Sequence, residues 1–406
     1  MLLQSFFKQR KKQNSDSYIA IDIGTEFVKT VIYKYNQSTQ AIEIIGYSRV
    51  RQSPDAMYAA FIVSLNEAID KIDKSIKEAI QVASSSYPDV NPRNAIVGIA
   101  GELVQGMLIE GRVIRKKHTL PITEDEINQI KKQIHKSGFD KIKNEVATEM
   151  GIDPEYIDEI ATYLNSCYVD GVKVSDPIKF TAKELLYKIY ITFAPTIHIS
   201  TLKQIFKQLK FNIHKIVVEP YAISLAIQGI RNKDSNGIII DVGGGTTDVA
   251  IVHEGSIVGT KMFAIGSRVI SKMISKELNI DYLQAEELKI KYSNNTLKGY
   301  TKNKISRICK NFVDIWLEGL EVILDQFDCF ENQSYTFYLC GGGALLPDVY
   351  EGLLEYPWVT KLRFGKQPKI DFLFPNQITN VVDLTKLATS PMDVTVLSLA
   401  RMHIIS

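Results

Sequence analysis

Two stretches of this chain place a carboxylate, a glycine turn and a threonine in one order, a set of groups suited to gripping a polyphosphate. The first is Asp22-Ile23-Gly24-Thr25, between apolar runs that begin at Tyr18 and end at Tyr33. The second is Asp241-Val242-Gly243-Gly244-Gly245-Thr246, between runs that begin at Gly237 and end at Val252. Short β-branched runs around a glycine turn predict β-hairpins and not a strand feeding a helix. This separates them from glycine-rich loops that hold phosphate at a helix N-terminus. Phosphates are expected against backbone N–H groups at the two hairpin tips, with the Thr25 and Thr246 hydroxyls beside them. Glycine is expected there because a Cβ would block close approach and because such turns need positive φ. Asp22 and Asp241 stand where carboxylates would hold a hydrated Mg²⁺ on the phosphates.

A third element lies where a cleft needs one. Tyr338 to Pro347 is a strand running into Gly341-Gly342-Gly343 and then an apolar stretch. A loop without side chains lets a flat adenine slide against backbone. Two phosphate loops followed by an adenosine loop, in that order, resemble the actin-like ATPase superfamily. The resemblance implies an α/β, two-lobed ATPase fold with ATP and Mg²⁺ between the lobes.

The whole chain is compatible with that size. Its 406 residues exceed one core and suggest two to four units. Hydrophobic residues make up 45% and charged ones 23%, as in ordinary globular chains. A net charge of +2 makes no case for nucleic acid. Cys167, Cys309, Cys329 and Cys340 are scattered without a CxxC pair, so neither zinc nor a disulfide framework is indicated, and they are expected as reduced core residues. No apolar run approaches the roughly 20 residues of a membrane span, and no signal-peptide pattern is visible, so the cytoplasm is expected.

Residues 18–50 predict three strands of a meander. Ala56–Ser84 carries helical spacing, and Asn94–Gly101 reads as a strand followed by an alternating segment through Arg115. Thr123 and Glu126 form a capping-box signature that opens a charged helix, whose Lys131–Lys136 run is expected as a solvated face. Val169-Asp170-Gly171 marks a hairpin turn, Leu185–Phe193 an alternating strand, Thr201–Leu209 a helix and Ile213–Val218 a further strand.

The segment from about 94 to 180 narrows the family. Val97 to Gly101, Ile122 to Ile127, Tyr168 to Gly171 and Pro177, in that order, resemble the relocated subdomain of the bacterial cell-division FtsA family. They are also similar, less closely, to PilM, the actin-like platform protein of type IV pili. The likeness spans residues 18 to about 400. The expected organisation is a tail at 1–17, a first lobe at 18–93 and 181–230, and an inserted FtsA/PilM-type α/β subdomain at 94–180. The second lobe would then occupy 231–270 and 335–406, with a helical subdomain at 271–334.

Within this resemblance Asp22, Gly24 and Thr25 match the first phosphate loop, and Asp241, Gly243, Gly244, Gly245 and Thr246 the second. Asp22 and Asp241 take the metal and catalytic-carboxylate roles. Glu219, in Val218–Ser224, would orient a hydrolytic water, or be no more than a helix-start carboxylate beside Pro220. Glu286 and Lys289 would reach the ribose from one helix face, or be a surface ion pair. Gly266 is kept after the second phosphate loop, whereas Ser267 and Ser271 replace the family's Gly and Thr. Hydrolysis is expected to be slow.

The family usually ends in a membrane-binding amphipathic helix, and this sequence has none at its C-terminus. PilM-like proteins also lack one. At the other end Leu2, Leu3, Phe6 and Phe7 recur at helical spacing beside Lys8, Arg10, Lys11 and Lys12. That pairing suits an anchor to an anionic leaflet at the cytoplasmic face of the inner membrane; a disordered tail or a surface for a protein partner is the alternative. The implied partners are a second copy of the chain, head to tail, and the C-terminal peptide of the division-ring protein FtsZ. On the PilM alternative the partner is an inner-membrane pilus protein.

Overall fold

The computed structural model describes residues 17–101, 104–174, 176–227 and 235–405, by backbone alone at 131, 135–142 and 150. The anchor expected from Leu2, Leu3, Phe6, Phe7, Lys8, Arg10, Lys11 and Lys12 lies outside the described residues.

The chain opens as the meander its alternating β-branched runs predict: β1 (Ser17–Ile23), β2 (Phe27–Asn36) and β3 (Ala41–Arg51). A two-residue hairpin follows, β4 (Met57–Tyr58) and β5 (Phe61–Ile62), before helix α1 (Leu65–Ser84). The helix thus begins nine residues later than the Ala56 expected from spacing. Ala59 and Ala60 adopt left-handed φ of 45° and 66° at the hairpin turn, and the buried stripe starts only at Ala68 and Ile69. Tyr58, Phe61, Ile62 and Val63, aromatic or β-branched, favour the extended form.

Next come β6 (Asn94–Ile99), β7 (Gln105–Ile114) and helix α2 (Glu124–Met150). Thr123 caps α2 by accepting from the Glu126 N–H at 3.3 Å. The Glu126 carboxylate also takes Arg115 bidentately, at 2.7 and 2.8 Å. Strands β8 (Ile157–Val169), β9 (Val172–Val174) and β10 (Glu184–Pro195) follow, with Asp170 and Gly171 at positive φ in the two-residue turn. Helix α3 (Thr196–Gln208) starts directly off β10, five residues before the expected Thr201. Then come β11 (Asn212–Val218) and helix α4 (Glu219–Ala226).

The second half repeats the first. Strands β12 (Gly237–Val242), β13 (Thr247–His253) and β14 (Ser256–Phe263) make another antiparallel meander. Helices α5 (Arg268–Leu278), α6 (Tyr282–Ser293) and α7 (Gly299–Leu324) precede β15 (Thr336–Cys340). After helices α8 (Pro347–Glu355) and α9 (Trp358–Lys361), β16 (Lys369–Phe372), β17 (Val381–Asp383) and α10 (Val394–Arg401) complete the chain.

The first sheet runs β11-β6-β1-β2-β3-β17 and the second begins β16-β15-β12-β13-β14. In both, two parallel pairings lead into an antiparallel meander. Two copies of one topology stand face to face, which is the two-lobed α/β plan. The second sheet continues through β7-β10-β8-β9, joined to β14 by the pairs Gly259–Met107 and Thr260–Gly106. Gly106 is required there, since a Cβ would fall 1.8 Å from the Tyr190 hydroxyl. That hydroxyl also shares a 2.8 Å hydrogen bond with Thr260.

Three apolar clusters lie inside: one that joins the first sheet to one face of the second, one on the second sheet's other face and one between α2 and the β7–β10 sheet. Strand β6 belongs to the first sheet, whereas β10 belongs to the extension of the second. We therefore propose residues 104–195 as the inserted unit, in place of the 94–180 suggested by sequence. The four cysteines are free thiols, three of them buried and Cys329 half-buried.

Candidate functional site

The two glycine-threonine turns come together as hairpin tips on opposing lobes. Each closes the same way: Gly24 N–H donates to Phe27 O at 3.0 Å and Gly243 N–H to Thr246 O at 2.9 Å. Close approach accounts for the glycines. A Cβ on Gly244 would fall 2.4 Å from Glu26 Cγ, one on Gly245 2.7 Å from Thr25 Oγ1, and one on Gly266 2.5 Å from Gly244 O. The expected positive φ is not found at Gly24, Gly243, Gly244 or Gly245. These four-residue turns are reached with ordinary backbone, so space and not handedness selects glycine. Gly341 needs both, with φ at 85° and a Cβ position 2.2 Å from Asp241 Oδ1.

A cavity of about 390 Å³ opens between the tips, within the usual range of roughly 300–1,000 Å³ for small-molecule sites. Asp22, Gly24, Thr25, Gly243, Gly244, Thr246, Glu219 and Asp241 line it, as do Glu286, Lys289, Gly341 and Gly342, and Asp22, Asp241 and Asp248 gather around Glu219 at its acidic end. Gly245, Gly266 and Gly343 stand one layer back, packed on Thr25, Gly244 and Val242. The structure thus gathers the expected phosphate, ribose and adenine residues around one space.

Glu286 and Lys289 form a buried ion pair at 2.8 Å, each side chain only 8% exposed. This removes the surface-pair alternative. Burial raises the Glu286 pKa, but Lys289 and the Ser271 hydroxyl bond more than offset it and hold the carboxyl below its ordinary value. Ser271 therefore holds Glu286 in place, and Lys289 also donates to Ser267 O at 3.3 Å.

Glu219 opens α4 beside Pro220, as its sequence context predicts. It is buried facing the acidic end of the cavity, and Gly98 makes room for it: a Cβ there would lie 2.3 Å from Glu219 Oε1. Burial, then Asp22, Asp248 and Asp241, push its pKa well above the usual carboxylate range, against the pull of Lys29. Burial likewise raises Asp248, helped by Asp241, and raises Asp241 in spite of a 2.6 Å bond from the Thr395 hydroxyl.

Sequence reasoning assigned no role to Lys29, Asp248 or Thr395. In β1–β2 pairing Lys29 sits opposite Asp22, and in β12–β13 pairing Asp248 sits opposite Asp241. Both lie seven residues after the motif aspartate, so aligning the two hairpins on their aspartates would have found them. Lys29 Nζ pairs with Asp22 Oδ2 at 2.7 Å. Burial opposes its charge, but Asp22, Asp241 and Asp393 leave its pKa above the ordinary lysine value. Thr395, from α10, gives no such signal.

The acidic end fits a hydrated cation. Asp248 Oδ1 is buried without a hydrogen-bond partner among the described residues. The clustered carboxylates leave buried negative charge that a divalent ion would offset. Among the described residues no three His, Cys, Asp or Glu side chains form a ligand cluster. An ion here would take one or two carboxylates and keep most of its waters.

Comparison with known proteins adds the following. The family model for the cell division protein FtsA matches residues 238–394. The cell division protein FtsA of Enterococcus hirae is 25% identical over 406 aligned residues, covering 93% of this chain and 84% of its own. That of Enterococcus faecalis is 23% identical over 355 residues, covering 82% and 75%. Among solved structures, the PilM-PilN type IV pilus biogenesis complex contains a chain that superposes with a TM-score of 0.66. It covers 96% of this chain and 99% of that one, at 13% identity, which establishes shared fold alone.

Proposed function

We propose that this chain, an actin-like protein of the FtsA family, is an ATP-binding scaffold of bacterial cell division that hydrolyses ATP slowly. The observation that carries the nucleotide part is the pair of hairpins in matching register, closing on one cavity that the buried Glu286–Lys289 pair also lines. Backbone N–H groups at the two hairpin tips, other than those of Gly24 and Gly243 that close the turns, grip the phosphates, and Asp22 and Asp241 hold the waters of the metal. Glu286 and Lys289 receive the ribose, and Gly341 and Gly342 give the base a face without side chains. Glu219 orients the hydrolytic water. When bound, Mg²⁺ neutralises phosphate charge in this acidic setting.

Calorimetric titration with Mg²⁺–ATP tests the cleft. Asp241→Ala and Gly244→Val should each weaken binding at least about tenfold, roughly 1.4 kcal/mol. Unchanged affinity in both variants overturns the nucleotide assignment.

As a scaffold, the chain would associate head to tail, bind the C-terminal peptide of FtsZ and sit on the cytoplasmic face of the inner membrane. No helix among the described residues is long and apolar enough to cross a membrane. Attachment is assigned to residues 1–12, with Phe6, Phe7 and the basic run acting together, since one short apolar face gives only reversible affinity. Self-association multiplies such weak anchors. Co-sedimentation with anionic liposomes should weaken with salt and vanish on deletion of residues 1–12. Retention of binding by the deleted protein refutes the anchor. Binding of a pilus inner-membrane peptide in place of the FtsZ peptide would refute the division role.

A further inference from the structure

Arg268 and Glu26 form a contact across the cleft that neither the hairpin plan nor the nucleotide site requires. Arg268 is the first residue of α5 in the second lobe and is 9% exposed. All three of its guanidinium nitrogens donate to the first lobe: Nη2 to Thr25 O at 2.6 Å, Nε to Glu26 Oε1 at 2.5 Å and Nη1 to Pro54 O at 3.0 Å. Glu26 is equally occupied. Its Oε1 also accepts from the Tyr282 hydroxyl of α6 at 2.6 Å, and its Oε2 from Arg51 of β3 at 3.0 Å. Gly244 of the second tip packs on the Glu26 side chain from the other side.

Four groups of the first lobe and two of the second are therefore tied at one buried point, beside the two tips. A planar guanidinium with three fixed acceptors is a geometric device as much as a charge, and lysine could not reproduce it. The lobes cannot part at the tips while these bonds hold. We propose that the Glu26–Arg268–Tyr282 cluster is an interlobe latch that sets the rate at which nucleotide enters and leaves the cleft. The inference rests on the nucleotide reading above.

Arg268 is not among the residues lining the cavity, whereas Thr25 and Glu26 are. Removing its side chain should therefore change exchange more than it changes the contacts that hold the ligand. Two-state closure of this kind makes exchange kinetics the direct readout.

The test pairs two measurements on the full chain. The first is stopped-flow release of a fluorescent ATP analogue chased with unlabelled ATP. The second is the interlobe distance distribution by pulsed electron resonance between labels at Lys77→Cys and Arg363→Cys, in a Cys329→Ser background. Arg268→Ala and Glu26→Gln should each speed release at least about tenfold and lengthen or broaden the distances. Arg268→Lys should resemble Arg268→Ala, because a point charge does not restore the fork. Tyr282→Phe, which removes one hydroxyl and keeps the ring, should give a smaller change in the same direction. Release within about twofold of the parent and unchanged distances in all four variants overturn the latch. If the parent binds no nucleotide, the nucleotide reading fails, and the distance distributions alone decide the latch.

Discussion

Replacing Lys29 with methionine keeps the length of the side chain and removes its charge from the acidic end of the cleft. In the native protein this ammonium lies 2.7 Å from Asp22, with the two side chains 13% and 6% exposed. At an effective dielectric of about 20, a unit pair at that distance attracts by roughly 6 kcal/mol before desolvation is charged against it. Removing one partner of a buried pair leaves the other uncompensated, which costs about 3–5 kcal/mol. Lys29→Met should therefore lower unfolding stability by about 3–5 kcal/mol near neutral pH. Asp22→Asn combined with Lys29→Met should recover most of that loss. The pH dependence follows from the raised lysine pKa: its contribution is complete below the ordinary lysine range and disappears only as pH climbs through the folded value. The lysine's share is thus unchanged between about pH 5.5 and about pH 8. Urea denaturation followed by circular dichroism at about pH 8 and about pH 5.5, with comparable slopes, measures both quantities. A single variant within about 1 kcal/mol of the parent, or a double variant no better than the single, would show that water and not Lys29 balances Asp22.

Glu219→Gln should bind ATP and lose most hydrolysis, measured by phosphate release. Because burial and three carboxylates raise the native Glu219 pKa, its share of stability is present in acid and lost as pH rises through the folded value. The same variant should therefore melt at a higher temperature than the parent at about pH 8, a gain that fades on acidification; an equal or lower Tm at that pH contradicts the charge crowding. Gly266→Ala should destabilise by about 1–3 kcal/mol through overpacking on Gly244. Gly341→Ala should cost about 1–2 kcal/mol more, for its left-handed backbone. Chemical denaturation that ranks them in the other order refutes the steric account.

What the sequence made legible follows from how local each determinant is. The hairpins could be read because β-branched alternation and a glycine turn are contained within about sixteen residues, and the register that aligns Asp22 with Lys29 follows from the turn length. Helix starts were less legible. Ala56–Val63 supports helical spacing, yet its aromatic and β-branched residues fold as a hairpin whose Ala59–Ala60 turn carries no glycine. The seam at Gly259–Met107 and Thr260–Gly106 leaves almost no trace in sequence, because a glycine facing a methionine or a threonine marks no particular pairing. The glycine argument was right in outcome and half right in cause, since crowding by Thr25 and Glu26 is a tertiary fact.

The asymmetry between the two hairpins carries the chemistry furthest. At matched positions one lobe presents Lys29 beside its motif aspartate, and the other presents Asp248 beside Asp241. The first hairpin is close to neutral by its own pairing. The second holds the half-buried Asp241 and the buried Asp248, whose Oδ1 lacks a partner among the described residues. A ligand carrying negative phosphates alone would meet little net charge at the first tip and be repelled by the acidic residues of the second. A ligand bringing phosphates together with a divalent cation satisfies both tips at once, with phosphate charge toward Lys29 and the hydrated ion toward Asp241. On this account metal-free ATP should bind far more weakly than Mg²⁺–ATP, and Asp248→Asn should narrow that gap by easing the repulsion. If calorimetry shows equal affinity with and without the metal in the parent protein, the two lobes do not divide the ligand's charges in this way.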